Sequence, residues 1–331
     1  MRDDLQGCRV LVTGAGGFIG SHLTEALVTQ GARVRVLVHY NGRNDWAHLE
    51  HLAASIRSQV EVIPGDIRDP FFVDSLVEGR DIVFHLAALV PVPYSYVAPA
   101  QFVETNVKGT LNILEAVRRH RAARVVHTST SEVYGTAQYT PMDERHPVYP
   151  QSPYAASKVG ADALVNAYRS AFHTPVVTVR PFNTYGPRQS ARAFVPSVLS
   201  QALSGDIVHV GSLDPIRDMN YVDDIVAGFL RAATAPHVEG LTLNLGSGRG
   251  VTMQELLDQM IRIVGRTVQV HIDAPRVRPD LSEVRTLVCD ASLAEAKLGW
   301  RDRVALDAGL QRTAEWIAAH LGEYKPDGYN V

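Results

Sequence analysis

The sequence Gly14-Ala15-Gly16-Gly17-Phe18-Ile19-Gly20 follows a short apolar segment and precedes a stretch with a helical pattern. Glycines at this spacing permit a tight turn, and they let backbone amides approach an anion at the amino terminus of the next helix. A strand before the glycines and a helix after them favour a pyrophosphate site over a structural turn. We therefore expect a dinucleotide to bind along this loop, in contact with Gly14, Gly17, Phe18, Ile19 and Gly20.

Apolar segments of strand length alternate with stretches of helix length through the first half of the chain. The strand candidates are Arg9–Thr13, Arg33–Val38, Val60–Ile63, Asp81–His85, Arg124–Thr128 and Val176–Arg180. This alternation predicts βαβ units, and therefore a parallel sheet with helices on both faces. The expected fold class is α/β, a Rossmann-type doubly wound parallel sheet.

The pattern changes after Arg180. Shorter helical stretches follow around 194–204, 222–233, 252–263 and 307–320, with brief strands between them. We expect a dinucleotide-binding Rossmann domain over 1–180 and a smaller mixed α/β domain over 181–331. The second domain should mainly bind substrate, with some segments returning to the Rossmann sheet. Because open parallel sheets bind ligands at the carboxyl ends of their strands, it should lie at that edge.

The composition is that of an ordinary globular protein. The 331 residues are 46% hydrophobic and 20% charged, with a net charge of −3, so the basic surface typical of nucleic-acid binding is not expected. The amino terminus lacks the apolar core of a signal peptide, and no apolar run is long enough to span a bilayer. Cys8 and Cys289 lack metal-ligand spacing. We expect a cytoplasmic protein with two buried thiols and no membrane partner.

Tyr154 and Lys158 lie four residues apart, which places them on one face of a helix. Ser152 and Pro153 just before them are typical of an N-cap and a first helical turn. Because an ammonium near a phenol favours the phenolate, we expect Lys158 to lower the pKa of Tyr154. Such pairs occur by chance on many helices, but this one follows a cofactor loop and a strand that ends in hydroxyls. We therefore expect it to be catalytic.

The fifth predicted strand ends in Thr128-Ser129-Thr130-Ser131-Glu132-Val133-Tyr134-Gly135. With the glycine loop and the Tyr/Lys pair, this sequence resembles the extended short-chain dehydrogenase/reductases that act on nucleotide sugars. Thr-Ser-Glu resembles the version in GDP-mannose 4,6-dehydratases. The loop over 180–193 resembles that of LegB-type 4,6-dehydratases, which act on nucleotide-activated N-acetylglucosamine. The resemblance runs from about residue 8 to about residue 316, and it is strongest over 128–192.

The resemblance implies a 4,6-dehydratase, a hydro-lyase that makes a 4-keto-6-deoxy sugar and recycles hydride internally through a tightly bound NAD(P). Thr130 would orient the sugar 4-hydroxyl that Tyr154 deprotonates. The resulting ketone acidifies the 5-hydrogen, which Glu132 would remove before the 6-hydroxyl leaves. Other sugar-nucleotide dehydratases carry Asp where this chain has Ser131. We therefore expect Glu132 itself to return the proton to the departing hydroxyl.

Other functions stay open at the level of sequence. A UDP-glucuronate decarboxylase also carries Thr-Ser-Glu, and a nucleotide-sugar 4-epimerase needs only Tyr154 and the cofactor. A non-catalytic sensor of cofactor or sugar nucleotide would keep the fold, although such proteins typically lose the Tyr/Lys pair. Glu132 would then be a strand-end glutamate paired with an arginine.

The same resemblance implies further cofactor contacts. They are Asp66 and Ile67 at the adenine, and Leu86, Ala87 and Ala88 beside the ribose and pyrophosphate. NAD enzymes usually present an acidic residue at the end of the second strand, and residues 38–43 contain none. Asn41 would bond a ribose hydroxyl and Arg43 would meet a 2′-phosphate, unless Arg43 is a solvated loop charge. The choice between NAD and NADP therefore stays open.

Substrate contacts implied by the resemblance are rich in arginine, whose guanidinium suits phosphate. They are Asn183, Arg192, Arg217, Arg278 and Glu283. Asn183 and Arg217 would lie near the diphosphate, and Arg278 and Glu283 would close over the nucleotide. The implied substrate is UDP-N-acetylglucosamine or a GDP-sugar, and the sequence does not decide between them.

Two helical stretches, Ala98–His120 and Ser152–His173, flank the catalytic strand. In the resembled family such a pair forms a four-helix dimer interface, so we expect a homodimer. His48 and His51 lie three residues apart without a third ligand in the same motif, so we expect no metal site.

Overall fold

The computed structural model describes residues 4–326 and residue 328. Its strands are β1 (Arg9–Thr13), β2 (Arg33–His39), β3 (Val60–Gly65), β4 (Ile82–His85), β5 (Arg124–Thr128), β6 (Val176–Pro181), β7 (Thr184–Tyr185), β8 (Ile207–Val210), β9 (Ile216–Asp218), β10 (Asn220–Tyr221), β11 (Thr242–Leu245), β12 (Gly250–Thr252), β13 (Gln269–Ile272) and β14 (Thr286–Leu287). Its α-helices are α1 (Phe18–Thr29), α2 (Ala54–Arg57), α3 (Pro70–Val77), α4 (Val92–Val97), α5 (Pro99–Phe102), α6 (Gly109–His120), α7 (Pro153–Phe172), α8 (Phe194–Ser204), α9 (Val222–Thr234), α10 (Met253–Val264), α11 (Ser292–Leu298), α12 (Leu306–Ala319) and α13 (Leu321–Tyr324). Short 3-10 turns cover Ala47–His51, Ser131–Tyr134, Ala274–Arg276 and Asp280–Ser282, and a π-helical segment covers Val103–Lys108.

Seven parallel strands form the central sheet, in the order β11-β6-β5-β4-β1-β2-β3. β1 pairs with β2 on one side and with β4 on the other, so the winding direction reverses between β3 and β4. The carboxyl ends of β1 and β4 therefore mark the switch point at which sheets of this kind bind ligands.

Each face of the sheet has its own apolar core. On one face Leu23 and Leu27 of α1 pack with Phe229 of α9. On the other face Ile113 of α6 packs with Val165 of α7. The inner strands are buried along nearly their whole length, as expected of a parallel sheet covered on both sides.

The α/β fold class predicted from the sequence is confirmed. The six predicted strands lie within two residues of their predicted limits, and the four later helices within one residue. A seventh strand, β11, comes from the second half of the chain and pairs with β6. It stays a prediction that residues 1–180 bind the cofactor and that residues 181–331 mainly bind the substrate.

Ala98–His120 is not one α-helix, because the π-helical segment Val103–Lys108 separates α5 from α6. Within this segment the Asn106 side chain accepts a hydrogen bond from the backbone of Leu89 and donates to its carbonyl, at 2.8 and 2.9 Å. It also donates to Ser157 Oγ on α7 at 2.9 Å. The π-helical segment therefore connects the loop around Leu89 to α7, the helix that carries Tyr154. Such segments are frequent at functional sites.

Cys8 and Cys289 are both buried and unpaired thiols. Burial, together with the nearby Asp218, raises the pKa of Cys289 well above its usual value, which makes the thiol unreactive. Among residues 4–326, no helix combines the length and the apolar composition required to cross a bilayer.

Candidate active site

A cleft of about 1680 Å³ opens at the carboxyl ends of the central strands. Every residue predicted to catalyse or to bind cofactor or substrate lines it: Gly14, Gly17, Phe18, Ile19, Gly20, Asn41, Arg43, Asp66, Ile67, Leu86, Ala87, Ala88, Thr130, Ser131, Glu132, Tyr154, Lys158, Asn183, Arg192, Arg217, Arg278 and Glu283. The fold thus brings residues from distant parts of the sequence to one surface. Their individual roles stay predictions.

The glycine loop forms a tight cradle between β1 and α1. Gly14 has a φ of +71°, and a Cβ there would lie 2.7 Å from the backbone nitrogen of Ala87. A Cβ at Gly20 would lie 2.2 Å from the carbonyl oxygen of Gly14. Both positions therefore exclude any larger residue. Because α1 begins at Phe18 with Gly17 as its N-cap, its free amides face the cleft and suit a pyrophosphate.

The far end of the cleft carries the residues predicted to meet the adenosine. Asp66 Oδ1 accepts hydrogen bonds from the backbone and Nε of Arg68, at 2.9 and 3.0 Å. The Asn41 amide donates to the carbonyls of His39 and Asp45, while its oxygen accepts from the backbone of Arg43 and Asp45. Asn41 therefore shapes its own loop, and the predicted ribose contact would require it to give up these bonds.

Tyr154 and Lys158 lie in the first turns of α7, which begins as predicted with the Ser152 hydroxyl accepting from the backbone of Ala155. Lys158 Nζ donates to the carbonyl of Thr128 at 2.6 Å, and burial lowers its pKa to about 8. Burial raises the pKa of Tyr154, and a hydrogen bond with Thr130 only partly offsets this. The direction is opposite to the one predicted, because desolvation of the phenolate outweighs the nearby polar groups.

A buried carboxylate below the pair was missed from the sequence. Asp162 accepts hydrogen bonds from His127 Nε2 at 3.1 Å, Ser129 Oγ at 2.7 Å and Arg180 Nη2 at 2.8 Å. These partners hold the pKa of Asp162 below its usual value, although burial works against them. The signal was available, since Asp162 follows Lys158 by four residues on the same helical face. Asp162 therefore connects α7 to the end of β5 and to β6.

Glu132 faces a group of charged residues across the cleft. Its Oε1 lies 3.9 Å from Arg278 Nη1, and the same nitrogen lies 3.8 Å from Glu283 Oε1. Glu283 also accepts a hydrogen bond from Arg217 Nη2 at 3.2 Å. At 3.9 Å the Glu132 contact is electrostatic rather than a hydrogen bond, so the carboxylate keeps lone pairs available for a proton.

Asn183 and Arg192, both predicted to contact the substrate, also line the cleft. The Oδ1 atom of Asn183 is buried and has no hydrogen-bond partner among the described residues. A buried polar atom of this kind is costly unless it is paired. Its place on the cleft wall therefore points to a ligand that donates a hydrogen bond there.

The strand order, the glycine loop and the Tyr/Lys pair on α7 together define an extended short-chain dehydrogenase/reductase. The chain belongs to the GDP-mannose 4,6-dehydratase family, whose model matches residues 11–313. The predicted resemblance is therefore confirmed, and the protein is an enzyme of this family.

Relatives include enzymes with two different activities. The chain is 36% identical to a UDP-glucose 4-epimerase from Mycolicibacterium smegmatis, over 93% of this chain and 98% of the relative. It is 34% identical to a dTDP-glucose 4,6-dehydratase from an Actinoplanes species, over 94% and 98%. Among solved structures, DesIV from Streptomyces venezuelae, a dTDP-glucose 4,6-dehydratase with NAD and TYD bound, superposes with a TM-score of 0.85 at 30% identity, covering 96% of this chain and 99% of that one.

Proposed function

We propose that this protein is a nucleotide-sugar 4,6-dehydratase that converts an NDP-hexose or NDP-N-acetylhexosamine to its 4-keto-6-deoxy form. The position of Glu132 carries the proposal. Its carboxylate lines the cleft two residues after Thr130, and its side chain is only 12% exposed. Dehydration requires a base for the sugar 5-hydrogen, whereas epimerisation at the 4-position requires none.

In this proposal Tyr154 and Glu132 carry out the proton transfers, and Thr130 and Lys158 have supporting roles. Tyr154 accepts the proton of the 4-hydroxyl as its phenolate, a form that the positive charge of a bound oxidised nicotinamide would favour against the effect of burial. The Thr130 hydroxyl orients the 4-hydroxyl. Lys158 holds the end of β5 through the Thr128 carbonyl. Glu132 removes the 5-hydrogen and then returns a proton to the departing 6-hydroxyl, because Ser131 is a poor acid at neutral pH.

The cleft fits a dinucleotide such as NAD(P), because the glycine cradle excludes side chains where a pyrophosphate would lie. The cofactor would be held by the amides at the start of α1 and by the residues around Asp66 and Ala87. When bound, it would supply the chemistry of a hydride acceptor and donor. The NAD bound to DesIV supports this assignment.

NADP is expected to bind within about tenfold of NAD, which is about 1.4 kcal/mol. Residues 38–43 offer no carboxylate to repel a 2′-phosphate, and Arg43 lies on the cleft wall. Calorimetry on cofactor-stripped protein measures both affinities. Arg43→Ala should weaken the binding of NADP by about fivefold, since an exposed charge pair contributes about 1 kcal/mol at most. The affinity for NAD should stay unchanged. The expectation would be contradicted if the wild-type protein bound NAD more than tenfold tighter than NADP.

The substrate side favours a diphosphate linked to a sugar. Arg192, Arg217 and Arg278 line the cleft, and the buried Oδ1 of Asn183 would accept a hydrogen bond from a sugar or ribose hydroxyl. Guanidinium groups pair well with phosphate oxygens. We propose UDP-N-acetylglucosamine or a GDP-sugar as the substrate, and this choice rests on the resemblance of residues 180–193 and of Thr130-Ser131-Glu132 to enzymes that act on such substrates.

A 4-epimerase is the second candidate, because one relative of this chain carries that name at 36% identity. Mass spectrometry of products from UDP-, GDP- and dTDP-hexoses separates the reactions. Loss of one water supports the dehydratase, an unchanged mass supports the epimerase, and loss of carbon dioxide from UDP-glucuronate supports a decarboxylase. Conversion of no substrate, with cofactor binding retained, would favour a sensor.

We also propose a homodimer through the outer surfaces of the π-helical segment and α7. The outward face of α7 is a stripe of small residues, Ala156, Gly160, Ala163, Ala167 and Ala171, all at least partly exposed. Val103 and Phe172 beside it are 53% and 50% exposed. Small side chains let helices approach closely, and burying these apolar groups would stabilise the pair.

Light scattering at micromolar concentration is expected to report a dimer. Ala163→Arg should convert it to monomer, because a buried charge without a partner is strongly unfavourable. Ala318→Arg on α12, also exposed, is the matched control and should remain dimeric. A monomeric wild-type protein would rule out this interface.

A further inference from the structure

A second group of chemically distinctive side chains lies outside the cleft. His51 ends the 3-10 turn Ala47–His51, while His320 and Glu323 lie at the junction of α12 and α13. His51 Nε2 lies 3.2 Å from Glu323 Oε2. One ligand atom from each of the three residues lies within 4.8 Å of the other two. The fold therefore supplies the third ligand that the sequence motif lacked.

The His320 ring is already oriented as in a metal site. Its Nδ1 lies 2.9 Å from the carbonyl oxygen of Trp316. Because a carbonyl only accepts, Nδ1 carries the proton and Nε2 keeps a free lone pair. Metal-binding histidines typically donate their other ring N–H to such a carbonyl. The Trp316 ring stacks on His320 at 3.8 Å and holds the imidazole in place.

We propose that His51, His320 and Glu323 bind one divalent transition-metal ion, with zinc as the best match. Zinc binds imidazole nitrogen and carboxylate oxygen at about 2.0–2.2 Å, so ligand atoms of a tetrahedral site lie about 3.3 Å apart. His51 and Glu323 already have that separation. Small rotations of the His51 and Glu323 side chains would bring their ligand atoms into range of the fixed His320 ring.

His48 lies beside this group without being one of its three ligands. It lies one 3-10 turn before His51, with ring centroids 5.7 Å apart, and residues three apart in such a turn lie above one another.

The site connects the end of the chain to the cofactor loop. The backbone N–H of His48 donates to the carbonyl of Gly16 at 3.2 Å, and a Cβ at Gly16 would lie 3.3 Å from Ala47 Cβ. An ion held by His51 and Glu323 would therefore fix the turn that supports the glycine loop. Metal binding should increase the affinity for the dinucleotide, because it orders this loop before the dinucleotide binds. By the reciprocity of linked equilibria, the dinucleotide should then raise the affinity for the metal by the same factor.

Calorimetry with zinc chloride on full-length, chelator-treated protein tests the proposal. We expect one equivalent to bind and to raise the melting temperature. His51→Gln and Glu323→Gln should each weaken binding by at least about tenfold. His237→Gln, which removes an exposed histidine elsewhere, should bind zinc like wild type. Cobalt(II) in place of zinc should give visible absorption bands of a tetrahedral site.

The variants are first compared by circular dichroism and by melting without metal, so that misfolding is not mistaken for ligand loss. Absence of saturable zinc binding by wild-type protein would overturn the site. Binding by His51→Gln within twofold of wild type would overturn it as well. Zinc binding that leaves the NAD affinity unchanged would overturn the link to the cofactor loop. None of these measurements depends on the catalysed reaction.

Discussion

Tyr154→Phe is expected to lower the rate of substrate oxidation by about 10²–10⁴-fold while leaving nucleotide-sugar binding nearly unchanged. The substitution removes only the phenolic oxygen, so the buried ring keeps its contact with Phe102 at 6.2 Å between centroids. Without that oxygen, the 4-hydroxyl loses the group that we propose accepts its proton. Nicotinamide absorbance after rapid mixing with substrate measures the oxidation directly, and calorimetry measures binding.

Tyr149→Phe provides the matched control. Tyr149 is 67% exposed and lies outside the lining of the cleft, so the same loss of a hydroxyl there should leave the rate unchanged. Oxidation at the wild-type rate by Tyr154→Phe would show that another group accepts the proton. Loss of substrate binding together with activity would instead indicate a structural role.

Glu132→Gln is expected to separate oxidation from dehydration. The amide keeps the size of the side chain but removes the base, so the 4-hydroxyl should still be oxidised while the elimination slows by about 10²–10⁴-fold. The variant should therefore accumulate reduced nicotinamide and a 4-keto sugar that retains its 6-hydroxyl. Absorbance and mass spectrometry of the quenched reaction detect the two species.

Glu283→Gln is the control, because Glu283 is a second carboxylate beside Arg278. The Nη1 atom of Arg278 lies 3.9 Å from the Glu132 carboxylate and 3.8 Å from that of Glu283. We expect it to raise KM without trapping reduced nicotinamide. Wild-type turnover in heavy water should place one deuterium at the 5-position of the product. Normal dehydration by Glu132→Gln, or a dehydrated product without deuterium, would mean that Glu132 is not the eliminating base.

The fold was predictable because its signals are local. The glycines after β1 and the apolar strands at regular intervals each act within one βαβ unit, so their limits follow from short-range patterns. β11 was harder to assign, because Thr242–Leu245 joins the sheet through pairing with β6, far away in sequence. Pairing of that kind has no signature within the strand itself.

The candidate site was predictable as a set of residues but not as a set of contacts. The motifs identified the groups that line the cleft, yet the Asn41 amide bonds its own loop, and burial raises the pKa of Tyr154. Both effects depend on the surroundings of a side chain in three dimensions. The sequence around His51 did not predict a metal site for the same reason, because Glu323 lies close to His51 in space but far from it in sequence.

The edge strand β11 also sets the order in which the nascent chain can mature. As the ribosome delivers the chain from its amino terminus, β6 is complete while Thr242–Leu245 is still unsynthesised. Until then the outer edge of β6 has unpaired backbone groups, which could pair with a strand of another chain. Arg124 meanwhile lacks the carbonyls of Ala232 and Ala235 that receive its guanidinium. A sheet formed by the first half of this protein would therefore have an open edge during synthesis, and this edge is covered only when the second half emerges.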